Sequence, residues 1–193
     1  MKITTILGSP RKKGNTAAVL QLFEARIAEA GHEINRIRLA DYDVKPCRGC
    51  YRCKKVKDKP GCPQKDDFEK LYNEMAASDA LVYATPLYCW CFPSGMKALI
   101  DRQISLVSDF ETPEHASLIE GKKSALLVTC EGPVKGNADL IQKLFDRLMN
   151  DYLKTEVTGK YVVTGCTTPD KLPADVEKKT VKMARDMKRA FNM

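Results

Sequence analysis

Two short stretches hold most of the side chains that could do chemistry. The first is Gly8-Ser9-Pro10-Arg11-Lys12-Lys13-Gly14-Asn15-Thr16. Ser9 and Thr16 bring hydroxyls, Asn15 an amide and Arg11 a guanidinium, all able to donate hydrogen bonds to an anion. The run Lys2–Leu7 before it is apolar and β-branched and predicts a strand. Behind it, Val19, Leu22, Phe23, Ile27 and Ala30 recur at helical spacing. A loop between a strand and a helix N-terminus faces unpaired N–H groups and the positive end of the helix dipole. A phosphate is the expected occupant; an ordinary turn before a capped helix is the bland alternative. The spacing narrows the ligand. A Walker A loop needs four residues between its glycines and then a lysine. Here five residues separate Gly8 from Gly14, and Asn15 stands where the lysine would be. No Gly-x-Gly-x-x-Gly fingerprint is present either, so a terminal monophosphate is expected rather than a triphosphate or a dinucleotide.

The second stretch is Cys47-x2-Cys50-x2-Cys53-x8-Cys62, four of the eight cysteines in the chain. Clustered thiols in a reducing compartment bind metal or do redox chemistry more often than they form structural disulfides. The loop is also basic: Lys45, Arg48, Arg52, Lys54, Lys55, Lys57, Lys59 and Lys65 surround the thiols, with Asp58 the only acid among them. These cations read as a solvated face, as compensation for a negative cofactor, or as a docking site for an acidic partner steered by Lys54, Lys55, Lys57 and Lys59. Cys89 and Cys91 flank Trp90, and Cys130 and Cys166 lie near strand ends. His32 and His115 are too isolated to suggest a catalytic pair and read as surface residues.

The remaining pattern supplies a frame. Strands are expected at Glu33–Leu39, Ala80–Ala84, Ser124–Thr129 and Glu156–Thr164, with helices at Ser94–Val107, Asp139–Met149 and around Val176–Phe191. Asp66 and Asp67 are expected to cap a helix carrying Phe68, Leu71, Tyr72 and Met75. Alternating strands and helices predict an α/β three-layer fold on a five-stranded parallel sheet, ordered 2-1-3-4-5. That order puts the ends of strands 1 and 3 together at a ligand-binding switch point. The phosphate loop then faces Thr85-Pro86-Leu87-Tyr88-Cys89-Trp90-Cys91, a loop rich in flat apolar side chains suited to a planar ligand. Cys130-Glu131-Gly132-Pro133 is expected as a third wall. Ser108–Gly121, acidic in its middle, reads as a lid or a dimer contact. Length suits one domain over residues 1–193, with a cysteine-rich insertion at about 45–65. The net charge of +7 comes without interleaved stacking aromatics apart from Tyr51, and no apolar run approaches a membrane span. The expectation is a cytoplasmic protein with neither a nucleic-acid nor a membrane partner.

Taken together, Gly8-Ser9-Pro10-Arg11, Gly14-Asn15-Thr16, Thr85-Pro86-Leu87-Tyr88 and Ser94-Gly95-Met96-Lys97 with Asp101-Arg102 resemble the flavodoxin-like NADPH-dependent FMN reductase family. The cysteine loop resembles that of its iron–sulfur flavoproteins. The resemblance implies that Ser9, Arg11, Gly14, Asn15 and Thr16 hold the FMN phosphate. It implies that Pro86, Leu87, Tyr88 and Cys89 border the flavin ring, and that Glu131 and Gly132 lie near the ring or ribityl chain. NAD(P)H or a ferredoxin-type protein would donate electrons, and a homodimer or homotetramer is implied. No catalytic acid or base is required, because the flavin carries the chemistry. For Cys47, Cys50, Cys53 and Cys62, a [4Fe–4S] cluster, tetrahedral zinc and plain thiols all remain chemically open. The function classes in competition are a flavin oxidoreductase, a non-enzymatic electron carrier and a thiol or metal sensor.

Overall fold

The computed structural model describes residues 1–168 and 171–191. In chain order the elements are β1 (Lys2–Leu7), α1 (Asn15–Glu29), β2 (Glu33–Arg38), α2 (Phe68–Ala76), β3 (Ala80–Pro86) and α3 (Ser94–Arg102). A two-stranded antiparallel ribbon follows, β4 (Val107–Ser108) with β5 (Ala116–Ser117). The chain then runs through β6 (Lys123–Thr129), α4 (Asp139–Asp146), β7 (Glu156–Val163) and α5 (Val176–Phe191). The five long strands are parallel and lie in the order β2-β1-β3-β6-β7. With the ribbon set aside, this is the expected 2-1-3-4-5 arrangement.

Both faces of the sheet are covered, and the strands show why. Ile3, Leu7, Val82, Ala84, Ala125, Leu127 and Val163 pack with α1 and α5. Their neighbours Ile6, Leu81, Tyr83, Leu126 and Val128 pack with α2, α3 and α4. Successive side chains point to opposite faces, so a strand buried on both sides is mostly apolar, with buried hydroxyls such as Thr4 and Thr5 hydrogen-bonded. On α1 the buried stripe is Val19, Leu20, Phe23 and Ile27, while Leu22 is half-buried and Ala30 exposed. Glu24 is also buried there. It accepts a hydrogen bond from Thr5 Oγ1 at 2.5 Å and pairs with Arg36, which satisfies its charge. Among the described residues no helix is long and apolar enough to cross a membrane.

The cysteine segment leaves and re-enters the fold at one point. Lys45 N–H donates to Asp66 Oδ2 at 3.0 Å, Asp43 N–H to Asp67 Oδ2 at 2.7 Å, and Gln64 Nε2 to the Pro46 carbonyl at 3.1 Å. At the centre of this closure sits Arg102, whose side chain is 1% exposed, paired at 2.5 Å with a fully buried Asp66. Its guanidinium also donates to the Lys45 carbonyl at 3.0 Å and stacks on Phe68, 4.7 Å from the ring centre. Asp66 caps α2 through Phe68 N–H at 3.2 Å, whereas Asp67 makes no cap bond and instead ties back to Asp43.

The basic run is partly consumed by this packing. Lys54 turns inward and donates to the carbonyls of Ile104 and Val107, both at 2.6 Å, and Lys57 pairs with Asp109 at 2.8 Å. Lys54 is turned inward by these bonds, whereas Lys57, though paired, keeps its side chain 66% exposed. Lys55 and Lys59 are exposed. Ser108–Gly121 is likewise packed: His115 Nε2 bonds the Tyr152 carbonyl at 3.0 Å and meets Phe110 edge-on, so this histidine is half-buried rather than on the surface.

Burial alone would raise the Asp66 carboxyl, but bonds from Arg102, Lys45 N–H and Phe68 N–H outweigh it and hold it below the ordinary carboxylate range. A depressed carboxyl contributes stability above its unfolded value, about pH 4, and loses it as pH falls through the lowered folded value. Arg102→Met, which strands Asp66 as a buried charge, should therefore cost about 3–5 kcal/mol in denaturant unfolding at neutral pH. Proteolytic cleavage within residues 46–64 should rise with it. The penalty should shrink in acid as Asp66 becomes neutral.

Candidate functional site

Gly8 ends β1 by donating its N–H to the Ala84 carbonyl at 2.8 Å, which brings the exits of β1 and β3 side by side. A Cβ on Gly8 would lie 2.6 Å from Met96 Cε and 3.1 Å from Met96 Cβ, so the missing side chain lets α3 approach the loop. Ser9, 4% exposed, accepts the Arg11 N–H at 3.2 Å and folds the loop back on itself. Gly14 is the N-cap of α1. No side chain caps that end, and no acid stands in the first turn. The first N–H groups of this helix are left for an anion. Thr16 Oγ1 meets Thr129 Oγ1 at 2.6 Å in a buried contact, tying the first turn of α1 to the end of β6.

Above these strand ends is a cavity of about 220 Å³. Ser9, Arg11, Gly14, Asn15 and Thr16 line one side, and Pro86, Leu87 and Tyr88 a second. Thr129, Cys130 and Glu131 form a third, closed by Cys166 and Thr167 beyond β7. Cys89 and Gly132 were expected here but lie outside the lining. Cys89 is exposed, and Gly132 packs toward Asn137. Cys166 and Thr167 were not anticipated. Their signal was positional: they follow the fifth strand, whose carboxyl end opens on the same crevice.

The cavity's chemistry fits a phosphate-bearing ligand. Asn15 lines the cavity, where its Nδ2 amide can donate to an anion; its Oδ1, buried without a partner, is an acceptor and would take an N–H or O–H from a ligand instead. Arg11 supplies the cation and is exposed. The thiols beside it are protonated at neutral pH. Burial, then neighbouring Cys130, pushes Cys166 up to about 11, and burial raises Cys130 as well. Protonated thiols are weak nucleophiles, so burial disfavours both as reactive cysteines.

The lip of the cavity is strained. Tyr88 and Cys91 exchange backbone hydrogen bonds at 3.0 and 2.9 Å, closing a two-residue turn. Its centre is Cys89 (φ 47°) and Trp90 (φ 62°). Positive φ at both positions is the geometry that Asn-Gly normally serves, and a bulky residue there is an outlier. The turn holds Tyr88 and Trp90 43% and 57% exposed.

In the cysteine loop, Cys53 is buried, Cys47 and Cys62 are half-buried and Cys50 is exposed. Burial raises the Cys53 thiol; Lys54 opposes this, and the nearby Cys62 and Cys47 add to it. Arg102 also faces Cys62. Cys53 thus lies within electrostatic reach of Cys47, Cys62 and Lys54. Among the described residues, however, no group of three or more Cys, His, Asp or Glu side chains is arranged to hold a metal ion.

Comparison with known proteins agrees with this geometry. An iron–sulfur flavoprotein from Archaeoglobus fulgidus is 40% identical over 53% of this chain and 48% of its own length. One from Methanosarcina thermophila is 35% identical over 55% of this chain and 54% of its own length. The chain thus spans about half the length of these curated relatives. The fold is shared with an NAD(P)H:quinone oxidoreductase from Methanothermobacter marburgensis, with a TM-score of 0.74, 18% identity and 96% of each chain covered. The family model for NADPH-dependent FMN reductases matches residues 1–169, and the chain belongs to that family.

Proposed function

We propose that the protein is an FMN-dependent oxidoreductase that draws electrons from NAD(P)H. The observation that carries this reading is the uncapped N-terminus of α1 opening, with Asn15 and Arg11, into a cavity shared with Tyr88. Bound FMN would supply the hydride and electron chemistry. Ser9, Arg11, Gly14, Asn15 and Thr16 would hold its phosphate, and Pro86, Leu87 and Tyr88 would border its ring. Cys89 would act through the turn it strains, and Gly132 through the backbone of the Glu131 loop. Buried Thr16 and Thr129 lock the phosphate end against the sheet. No side chain of the cavity needs to move a proton. An electron carrier without turnover is the competing reading, separated from this one by NAD(P)H consumption in the presence of FMN.

A second reading concerns Cys47, Cys50, Cys53 and Cys62. We propose that they hold a [4Fe–4S] cluster. Their donor chemistry fits: four soft ligands in one clamped loop, beside Lys54 and Arg102, whose charge would offset that of a cluster. The names of the relatives at 35–40% identity point the same way.

Asn15→Ala or Arg11→Ala should weaken FMN about tenfold or more, the worth of a charge-assisted hydrogen bond, while leaving riboflavin nearly unaffected. Fluorescence titration of each flavin measures this; equal losses would place the phosphate elsewhere. FAD should bind more weakly than FMN.

The strained turn makes a prediction of opposite sign. Cys89→Asn with Trp90→Gly should stabilise the fold by about 1–3 kcal/mol, by removing two unfavourable backbone conformations. The same change should alter the visible spectrum of bound flavin, because Tyr88 loses its rigid support. Thermal unfolding and absorbance report the two effects separately.

Protein purified without oxygen should contain about four iron atoms per chain. Cys50→Ala should lose iron and keep FMN, since the phosphate loop is a separate element. Stoichiometric FMN without iron after anaerobic reconstitution rules out the cluster and leaves the flavin reading intact.

A further inference from the structure

A second cavity opens beside Tyr88, away from the phosphate-binding side. Its volume is about 290 Å³, and Pro10, Leu39, Tyr42, Tyr88 and Pro93 form its walls. Sheet order keeps it apart from the cofactor cavity. Leu39 and Tyr42 follow β2, whereas Cys130 and Glu131 follow β6, and the β1–β3 pair lies between those two strands. Among the described residues, Tyr88 alone lines both cavities. The walls are preformed. Tyr42 is held from outside: its hydroxyl donates to Glu74 Oε1 at 3.1 Å, and Lys70 Nζ stands 4.9 Å from its ring centre. Tyr88 is fixed by the paired backbone bonds to Cys91. Leu39 and Pro93 are themselves buried, while Ala40 and Gly95 are exposed at the rim. Among the described residues no charged side chain lines this cavity.

We propose that this cavity is a second ligand site, which takes a small uncharged planar aromatic molecule and is coupled to the cofactor cavity through Tyr88. The lining selects the ligand. A phosphate or a nucleotide would find no lysine or arginine there, and a cation would find no carboxylate. Two tyrosines, two prolines and a leucine favour an apolar ring, and ring–ring contacts stabilise it beyond the area they bury. The volume suits one or two fused rings and is too small for a dinucleotide. A ligand seated there restricts the Tyr88 side chain from the side away from the cofactor cavity. Occupancy of one cavity is then felt in the other. The coupling rests on the flavin reading above; the binding does not.

Calorimetric titration of 2-naphthol into the FMN-saturated protein, without NAD(P)H, tests it. This probe is uncharged at neutral pH and has two fused rings. One molecule should bind per chain, with a dissociation constant on the order of 0.1–1 mM, the range open to a ligand of this size. Ala40→Phe and, separately, Gly95→Leu place a side chain at the rim of the cavity and should weaken 2-naphthol at least tenfold while leaving FMN affinity unchanged. Both positions are exposed, and a Cβ on Gly95 meets nothing within 4 Å, so neither substitution disturbs the core. Val181→Ser, on the outer face of α5, should change neither ligand. Adding 2-naphthol should also shift the visible spectrum of bound flavin in the wild type and not in Ala40→Phe. Absence of binding, or binding unaffected by both rim variants, overturns the site. Binding abolished by FMN overturns it as well, by placing the ring in the cofactor cavity. Binding with no change in the flavin spectrum overturns the coupling. A protein that takes up no FMN refutes the flavin reading instead, and 2-naphthol titrated into the flavin-free chain still decides the site.

Discussion

The pairing of β1 with β3 is the constraint on which the site depends. β2 lies on one side of this pair and β6 on the other, so the connections from β1 and β3 leave in opposite directions. A crevice opens between them at the carboxyl ends of the strands. The Gly8 N–H to Ala84 carbonyl bond holds the two exits together. The phosphate loop and the aromatic loop face each other for that reason. The Thr16–Thr129 contact then recruits the end of β6, so that the helix N-terminus, the aromatic lip and the Glu131 loop surround one volume.

A second polar system stands apart from the sheet ends and is organised by burial of charge. Arg102 and Asp66 are both removed from solvent, which is costly unless the charges are paired and hydrogen-bonded; only Arg102 Nε is left without a partner in the guanidinium–carboxylate pair. Here the pair is surrounded by hydrogen bonds to Lys45 and Phe68 and by the Phe68 ring. The result is a loop with tightly closed ends, holding its thiols between them. Lys54 and Lys57 serve the same end by anchoring the loop to the segment after α3. Cations that read as a surface feature are in part internal fasteners.

The two systems divide the chemistry. In the cavity the thiols of Cys130 and Cys166 are raised in pKa and remain protonated at neutral pH. What the protein supplies there is an uncapped helix N-terminus, a shaped cavity and a strained aromatic lip. Strain of this kind is kept where surrounding structure over-determines it, here by the paired backbone bonds of Tyr88 and Cys91.

Much of this was legible in the sequence. The strands at Lys2–Leu7, Ala80–Ala84 and Ser124–Thr129 show as short apolar runs because both their faces are buried. The anion loop shows because its glycines, hydroxyls and following helix are contiguous. Ser9, Arg11, Gly14, Asn15, Thr16, Pro86, Leu87, Tyr88 and Glu131 do line one cavity. Other features were decided by tertiary structure alone. Arg102 reads as the polar end of an amphipathic helix, yet it is among the most deeply buried large side chains. Nothing local distinguishes Lys54, which turns inward, from Lys55, which stays exposed. Cys89 and Trp90 carry no turn signature, and Cys166 reaches the cavity only because β7 ends beside β6. Periodicity and loop composition report forces acting between chain neighbours, and these the sequence by itself determined. Partnerships such as Arg102 with Asp66, 36 residues apart, depend on which surfaces the packed sheet and helices bring together, and only the tertiary structure decides them.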